Sequence, residues 1–417
     1  MTQQETTQIA QSVEHQGTAA RQTGRRWFHR RARILIVVAC AGLFIWGGYS
    51  LARSQLTSAC RQAQRESRWE DLEVLARRWS WWEPGNSDVW LMLADAVQHQ
   101  SRFLEAAEYL ENVPRNSPKA LAALLTASQL LYGPANRPLE GEAVSRRLLD
   151  LEPRATKAHA NLIGFYAFTL QRKKLVQQLR DAIAVKQEPR EAYIFYYLID
   201  TLNMAGAEQL NTLWLTTSPE EELFLVARAL QWSTVSESKS DSAVKSGDET
   251  ILNERELVVR QLLERFPNNL NLLADQIDAE IVKGRLPEVL ALLAKASVEA
   301  EDDNRFWRYK GWVHYVRNEY AEAENAYRTA LKFHPMDWHS LNRLGEVLRA
   351  RKDVAEVVRI QNLVERMQSL RSAIRKVEVI EKVPFEILNE LREIARDCGD
   401  TLIAEALDDR LRQTETD

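Results

Sequence analysis

Two hydrophobic rhythms run along the chain. From Ile34 to Ala52 there are nineteen residues without a charge, ILIVVACAGLFIWGGYSLA, fenced by Arg33 and Arg53. At about 1.5 Å of rise per residue such a helix covers about 28 Å, close to the hydrocarbon thickness of a bilayer, so one membrane span over 34–52 is expected. Beyond it the apolar residues recur at helical spacing in short amphipathic stretches, and prolines end them at a nearly fixed interval. Pro84, Pro118, Pro153 and Pro189 lie 34, 35 and 36 residues apart, and Pro267 and Pro335 lie 68 apart. Proline lacks the amide donor and clashes with the preceding turn, so each marks a helix end. The pattern predicts pairs of helices repeating about every 34 residues.

Side-chain size within the period sharpens this. Residues 304–337 place Trp307, Gly311, Ala323, Tyr327, Ala330 and Pro335 in one register, and residues 87–120 repeat it with Trp90, Leu93, Ala94, Ala106, Leu110 and Pro118. Weaker copies follow Trp69 and Pro84 at 53–86, Asn161, Leu162, Tyr166 and Ala182 at 156–191, Leu273, Gly284 and Ala296 at 270–303, and Leu341, Leu344, Gly345 and Leu348 at 338–371. Small residues let antiparallel helices approach, and large ones fill the space between pairs. In period and in these positions the chain resembles the tetratricopeptide repeat family, although Lys310 and His314 depart from its leucine and tyrosine positions. The resemblance implies an all-α, right-handed solenoid of about nine helix pairs over 53–371, preceded by the transmembrane helix. Residues 190–219 read as a shortened pair. The Ser-, Lys- and Asp-rich run at about 234–250 reads as a flexible insertion between two helices, and 372–417 as a C-terminal helical cap with a polar outer face.

Charge orients the span. The leader 1–33 carries six arginines against Glu5 and Glu14, a net of +4, while the remainder carries −8. An excess of arginine keeps that side in the cytoplasm, so the expectation is a disordered cytoplasmic leader, a single pass through the inner membrane and a solenoid on the exported side. Arg25-Arg26 and Ser50-Leu51-Ala52 also allow a cleaved export signal. The apolar run exceeds the length of a signal-peptide core, which favours an uncleaved anchor.

The overall net charge of −4 gives no general attraction to nucleic-acid phosphate, and Cys40, Cys60 and Cys398 are too few for a disulfide framework or a zinc site. There is no phosphate-binding loop, dinucleotide glycine pattern, H-E-x-x-H or C-x-x-C, so no enzyme, cofactor or metal is expected. His314, His334 and His339 are the nearest histidines and read as surface or partly packed.

What the family resemblance implies instead is a groove for a protein or peptide partner, lined by the first helix of each pair. In the copies at 304–337 and 338–371 that face bears Arg305, Arg308, Trp312, Tyr315, His339, Asn342 and Arg349. Cations beside aromatic faces suit an acidic peptide or a carboxyl terminus. The chaperone-binding members' carboxylate clamp has one matching position here, Asn161, without partners in neighbouring copies.

A second set is the tryptophan run. If the span continues as the first helix of the 53–86 pair, the second helix returns Trp79, Trp81 and Trp82 to the membrane interface, with Arg77 and Arg78 near headgroups. The function these readings imply is a membrane-anchored scaffold for protein partners. The alternative is an accessory or sensor subunit of an envelope enzyme complex.

Overall fold

The structure is a computed structural model that describes residues 46–201, 204, 206–231, 249–377 and 379–414. The leader, residues 34–45 of the apolar run and most of the 234–250 insertion lie outside the described residues. Among the described residues there is no strand, and no helix is long and apolar enough to cross a membrane. The chain divides into two compact units, residues 1–114 and 115–417.

The first unit contains four described helices: α1 (46–65), α2 (Trp69–Trp82), α3 (Ser87–His99) and α4 (Phe103–Glu111). α1 is unbroken from the end of the apolar run through the first half of the 53–86 copy. Its inner face, Cys60 and Ala63, packs with Leu72, Ala76 and Trp79 of α2 and with Val89, Leu93 and Ala96 of α3. Asn86 caps α3 through a side-chain bond to the Asp88 amide.

The second unit contains α5 (Ala120–Tyr132), α6 (Pro138–Leu151), α7 (Thr156–Phe168), α8 (Arg172–Ala184), α9 (Arg190–Tyr197), α10 (Ala207–Leu215), α11 (Glu222–Gln231) and α12 (Glu249–Arg265). It continues with α13 (Leu270–Val282), α14 (Leu286–Leu293), α15 (Asn304–Val316), α16 (Tyr320–Phe333), α17 (Trp338–Ala350), α18 (Val354–Ile374), α19 (Phe385–Cys398) and α20 (Thr401–Thr414). The copies read at 156–191, 304–337 and 338–371 each become one hairpin, α7–α8, α15–α16 and α17–α18.

The backbone repeats as the sequence does. Ser67, Ser101, Asn136, Leu170, Gly284, Asn318 and Lys352 all adopt positive φ, between 54° and 69°, two residues before the second helix of a pair. Successive members are 34 or 35 apart except across the stretch between Leu170 and Gly284. Gly311 shows why the period needs small residues: a Cβ there would stand 2.7 Å from the Tyr327 ring on α16.

The shortened pair at 190–219 takes a different form from the one expected. α9 ends after eight residues in a 3-10 turn, Ile199–Thr201, and α10 packs along α11. Six consecutive residues of α9, Ala192 to Tyr197, are buried, because later helices return onto it. The Tyr197 hydroxyl donates to the Met367 carbonyl of α18 at 2.7 Å, and the Tyr196 hydroxyl to Asp400 before α20 at 2.6 Å. Arg410 and Lys186 add ion pairs, to Glu188 and Asp409 respectively. The C-terminal pair, read as a cap with a polar outer face, also closes over α9, and residues 162–224 share one apolar core with 323–407.

Candidate functional site

Of the seven residues read as a groove, two are drawn into a buried charge cluster in the second unit. Asp200, in the turn after α9, receives Arg172 from the start of α8, Arg308 of α15 at 2.8 Å and the Asn304 amide at 2.9 Å. Arg308 reaches both Asp337 oxygens at 3.0 Å, and Asn304 bridges Asp337 at 3.0 Å while accepting from Arg172 at 2.9 Å. Asp337 caps α17 through the amides of His339 and Ser340. Beside them Arg305 holds Asp303, the cap of α15, at 2.6 Å, and donates to Asn271 at 3.0 Å.

Each charge is thus compensated by its neighbours. Burial pushes the Asp200 carboxyl up, but the Arg172 and Arg308 guanidinium groups overcome it and hold the group well below the usual carboxylate range. Asp303 feels the same opposition of burial against Arg305 and Arg172 and settles at about 2. At Asp278 burial outweighs the pull of Arg308, of the Tyr309 hydroxyl that donates to it at 2.9 Å and of Arg305, and raises the carboxyl. Burial likewise lowers His334, which lies edge-on to Tyr196, and takes His339 down to about 4 with Arg308 adding repulsion.

The other groove residues do not converge. Trp312 is buried with Leu273, Ile277 and Val313, Tyr315 is half-buried against Tyr320, and His339 is half-buried on the face of Trp338. Asn342 and Arg349 are exposed on α17. Trp307 sits at an edge, with its indole donating to the Glu301 carbonyl and Lys310 over its ring. Phe306 and Tyr309 are the residues that fill the interior. Sequence reasoning missed Arg172, Asp200, Asn304 and Asp337. The available signals were a cation pair on the apolar face of α15 and an aspartate closing the run YIFYYLID. His334 is buried beside these charges and His339 lies half-buried at their edge, and among the described residues no cluster could hold a metal ion.

In the first unit the tryptophans separate by role. Trp79 is 3% exposed and donates its indole hydrogen to Glu83 at 3.1 Å. Trp81 is 88% exposed and Trp82 49% exposed. Trp82 stacks on Tyr49 of α1 at 6.3 Å, the Tyr49 hydroxyl donates to Glu83 at 2.9 Å, and Arg53 pairs with Glu83 at 2.6 Å. α2 therefore does return its end to the level of residues 46–53. Trp46, one turn further up α1, is 69% exposed. Arg77 is engaged by Glu73 and Tyr109, whereas Arg78 is exposed.

The fold thus defines a protein built of stacked antiparallel helix pairs. The family model described as Tetratricopeptide repeat matches residues 310–356, the segment spanning most of α15, all of α16 and α17, and the start of α18. No curated protein matches the chain. Solved structures that it resembles include a tetratricopeptide repeat protein from Parabacteroides merdae, at 12% identity and TM-score 0.26 over 71% of this chain and 98% of that one. The human IFIT1 dimer with m7Gppp-AAAA aligns at 12% identity and TM-score 0.32, over 86% and 89% of the two chains. The Cut9–Hcn1 hetero-tetramer of the APC/C aligns at 12% and 0.35, over 83% and 74%.

Proposed function

We propose that the chain is a membrane-tethered scaffold whose tetratricopeptide-like helix pairs hold protein partners on the exported side of the inner membrane. The observation that carries the tether is the aromatic group Trp46, Tyr49, Trp81 and Trp82, collected at the end of the first unit where α1 continues the uncharged run 34–52. Tryptophan and tyrosine favour the membrane–water boundary. Trp79 has no part in this contact, since its indole is packed and bonded.

Binding rather than catalysis is supported by the polar interior. The Asp200 and Asp337 carboxylates are engaged by arginines and Asn304 inside the fold, which makes them supports of the architecture. With Arg305 and Arg308 committed inward, Asn342 and Arg349 remain as the exposed polar members of the groove set, and they are our candidates for contact with an acidic peptide segment. Two measurements test the proposal on the full-length chain. Retention in the membrane pellet after alkaline carbonate extraction, together with activity of a C-terminal reporter that works only outside the cytoplasm, is expected. Quantitative release, or a silent reporter on a stable fusion, overturns it. Trp81→Ser with Trp82→Ser is expected to leave the chain in the pellet but to reduce protection of cysteines placed near residue 82 from water-soluble thiol reagents.

A further inference from the structure

We propose that the uncovered side of the first helix pair seats a second copy of this chain, completing a four-helix bundle directly above the membrane. α1 and α2 pack on α3 through Cys60, Ala63, Leu72, Ala76 and Trp79. Their other side is an open groove of about 1030 Å³, lined by Ala52, Gln55, Leu56, Ala59, Val74 and Trp81 among others. Val74 is 54% exposed there and Trp81 more so, apolar surface that a partner would cover.

The two walls are unequal in a way that makes the surface complementary to itself. α1 contributes Ala52, Gln55, Leu56 and Ala59, and α2 contributes Val74 and Trp81 among the charged Glu70, Glu73, Arg77 and Arg78, so at two levels, Ala59 with Val74 and Ala52 with Trp81, a smaller residue of α1 lies beside a larger one of α2. The contacts of Tyr49 with Trp82 and of Arg53 with Glu83 fix the register of the hairpin. Ala52 is then level with Trp81–Trp82, and Ala59 with Val74. A two-fold axis parallel to the hairpin sets α2 of each copy against α1 of the other, so Val74 meets Ala59 and Trp81 meets Ala52, large on small at both levels. Every neighbour in that bundle is antiparallel, while both α1 helices leave it at the same end. Two chains anchored in one bilayer require that geometry, and in this the inference rests on the tether proposed above.

Charge does not oppose the pairing. Of the ionised residues lining the groove, Arg77 is paired with Glu73, which leaves one acid, Glu70, and one base, Arg78. Arg78 comes level with the uncharged Gln55 of the other copy, whose amide oxygen accepts a hydrogen bond. The bilayer itself covers only the lower end, because Val74 stands eight residues from Trp82, about 12 Å up the helix. Trp81 is then shared with the copy, and Trp46, Tyr49 and Trp82 are left to the headgroup layer. Tethering in a membrane also raises the local concentration of the one partner certain to carry the matching face.

The test uses full-length chains in membranes, with Cys40→Ser, Cys60→Ala and Cys398→Ser. Two differently tagged chains are co-expressed, one with Ala59→Cys and one with Val74→Cys, and bridged by a short bis-maleimide. A mixed dimer carrying both tags is expected. Gln55→Arg in both chains faces Arg78 with a like charge and should cut its yield at least fivefold, and Arg78→Glu added to it should restore the yield. Equal yield from Glu108→Cys on α4, capture of a different protein at Val74→Cys, or no mixed dimer from chains that stay in the carbonate pellet each overturns the pairing. A mixed dimer from chains that carbonate releases keeps the pairing and overturns the tether.

Discussion

Lys352 has a backbone φ of 66° in the turn before α18, a conformation that crowds Cβ against the backbone and costs an L-residue about 1–2 kcal/mol. Its side chain is exposed, so nothing is lost by removing it. Lys352→Gly is expected to raise stability by about 0.5–1 kcal/mol after the extra chain entropy of glycine is subtracted, read as a higher urea midpoint. Gly284 occupies the equivalent turn at 69° with open space around it, so Gly284→Ala should shift the midpoint down by a similar amount. A lower midpoint for Lys352→Gly would show that its side chain makes a contact worth more than the strain. The same logic separates the two residues of the Gly311–Tyr327 contact. Gly311→Ala drives a methyl into the ring and is expected to cost about 1–3 kcal/mol, because both helices are held by their neighbours. Tyr327→Phe is expected to be neutral or slightly stabilising, since the buried Tyr327 hydroxyl has no hydrogen-bond partner among the described residues.

At the scale of helices, the sequence carried the local half of the architecture and not the rest. Prolines, small residues and aromatic spacing delimit α3–α4, α7–α8, α15–α16 and α17–α18 because those signals act between neighbours in the chain. The packing of α9 against the C-terminal pairs depends instead on contacts such as Tyr196 with Asp400, 204 residues apart. Likewise Asp200 and Arg308 are 108 residues apart, and no periodicity links them. That is why Arg308 reads as part of a groove face when taken with α15 alone and as an interior charge once the turn after α9 is in place, while Arg305 is held inward by Asp303 and Asn271. The exposed tryptophans were easier to read, because a hairpin that doubles back by one repeat fixes where Trp81 and Trp82 lie. Trp79 differs in facing the apolar core that α2 shares with α1 and α3. The cluster gives a prediction at this scale. Asp200→Ala leaves Arg172 and Arg308 buried with one carboxylate fewer, and it is expected to cost about 3–5 kcal/mol. Asp302→Ala removes only an exposed partner of Lys173 and should change stability by less than about 1 kcal/mol. Equal urea midpoints for the two variants would mean that the cluster contributes nothing to holding α9 in place.

Over the whole molecule the groups lowered by the fold, His334, His339, Asp200 and Asp303, make stability fall as pH falls, while Asp278, which burial raises, takes up its proton in the fold first and opposes them. His339 titrates at about 4 in the fold, below its ordinary value of 6.5, because burial and Arg308 disfavour its charged form. As pH falls below 6.5 the unfolded chain binds a proton there that the folded chain does not, so stability is lost until about pH 4. His334 is lowered by burial and acts in the same direction. Asp303 extends the loss further: its carboxylate contribution is complete above its ordinary value of 3.8 and disappears as pH falls through about 2. Unfolding free energy should therefore decline steadily from pH 7 to pH 4, by up to about 1.4 kcal/mol per pH unit for each proton taken up, and continue to decline below that. His339→Gln removes one titrating group without touching the carboxylates. Its urea midpoint should fall less steeply than that of the unaltered chain between pH 6.5 and 4, with the two curves running parallel below pH 4. Curves that stay parallel across the upper interval would show that His339 is as free to take up a proton in the fold as in the unfolded chain, and would place it outside the closed polar interior.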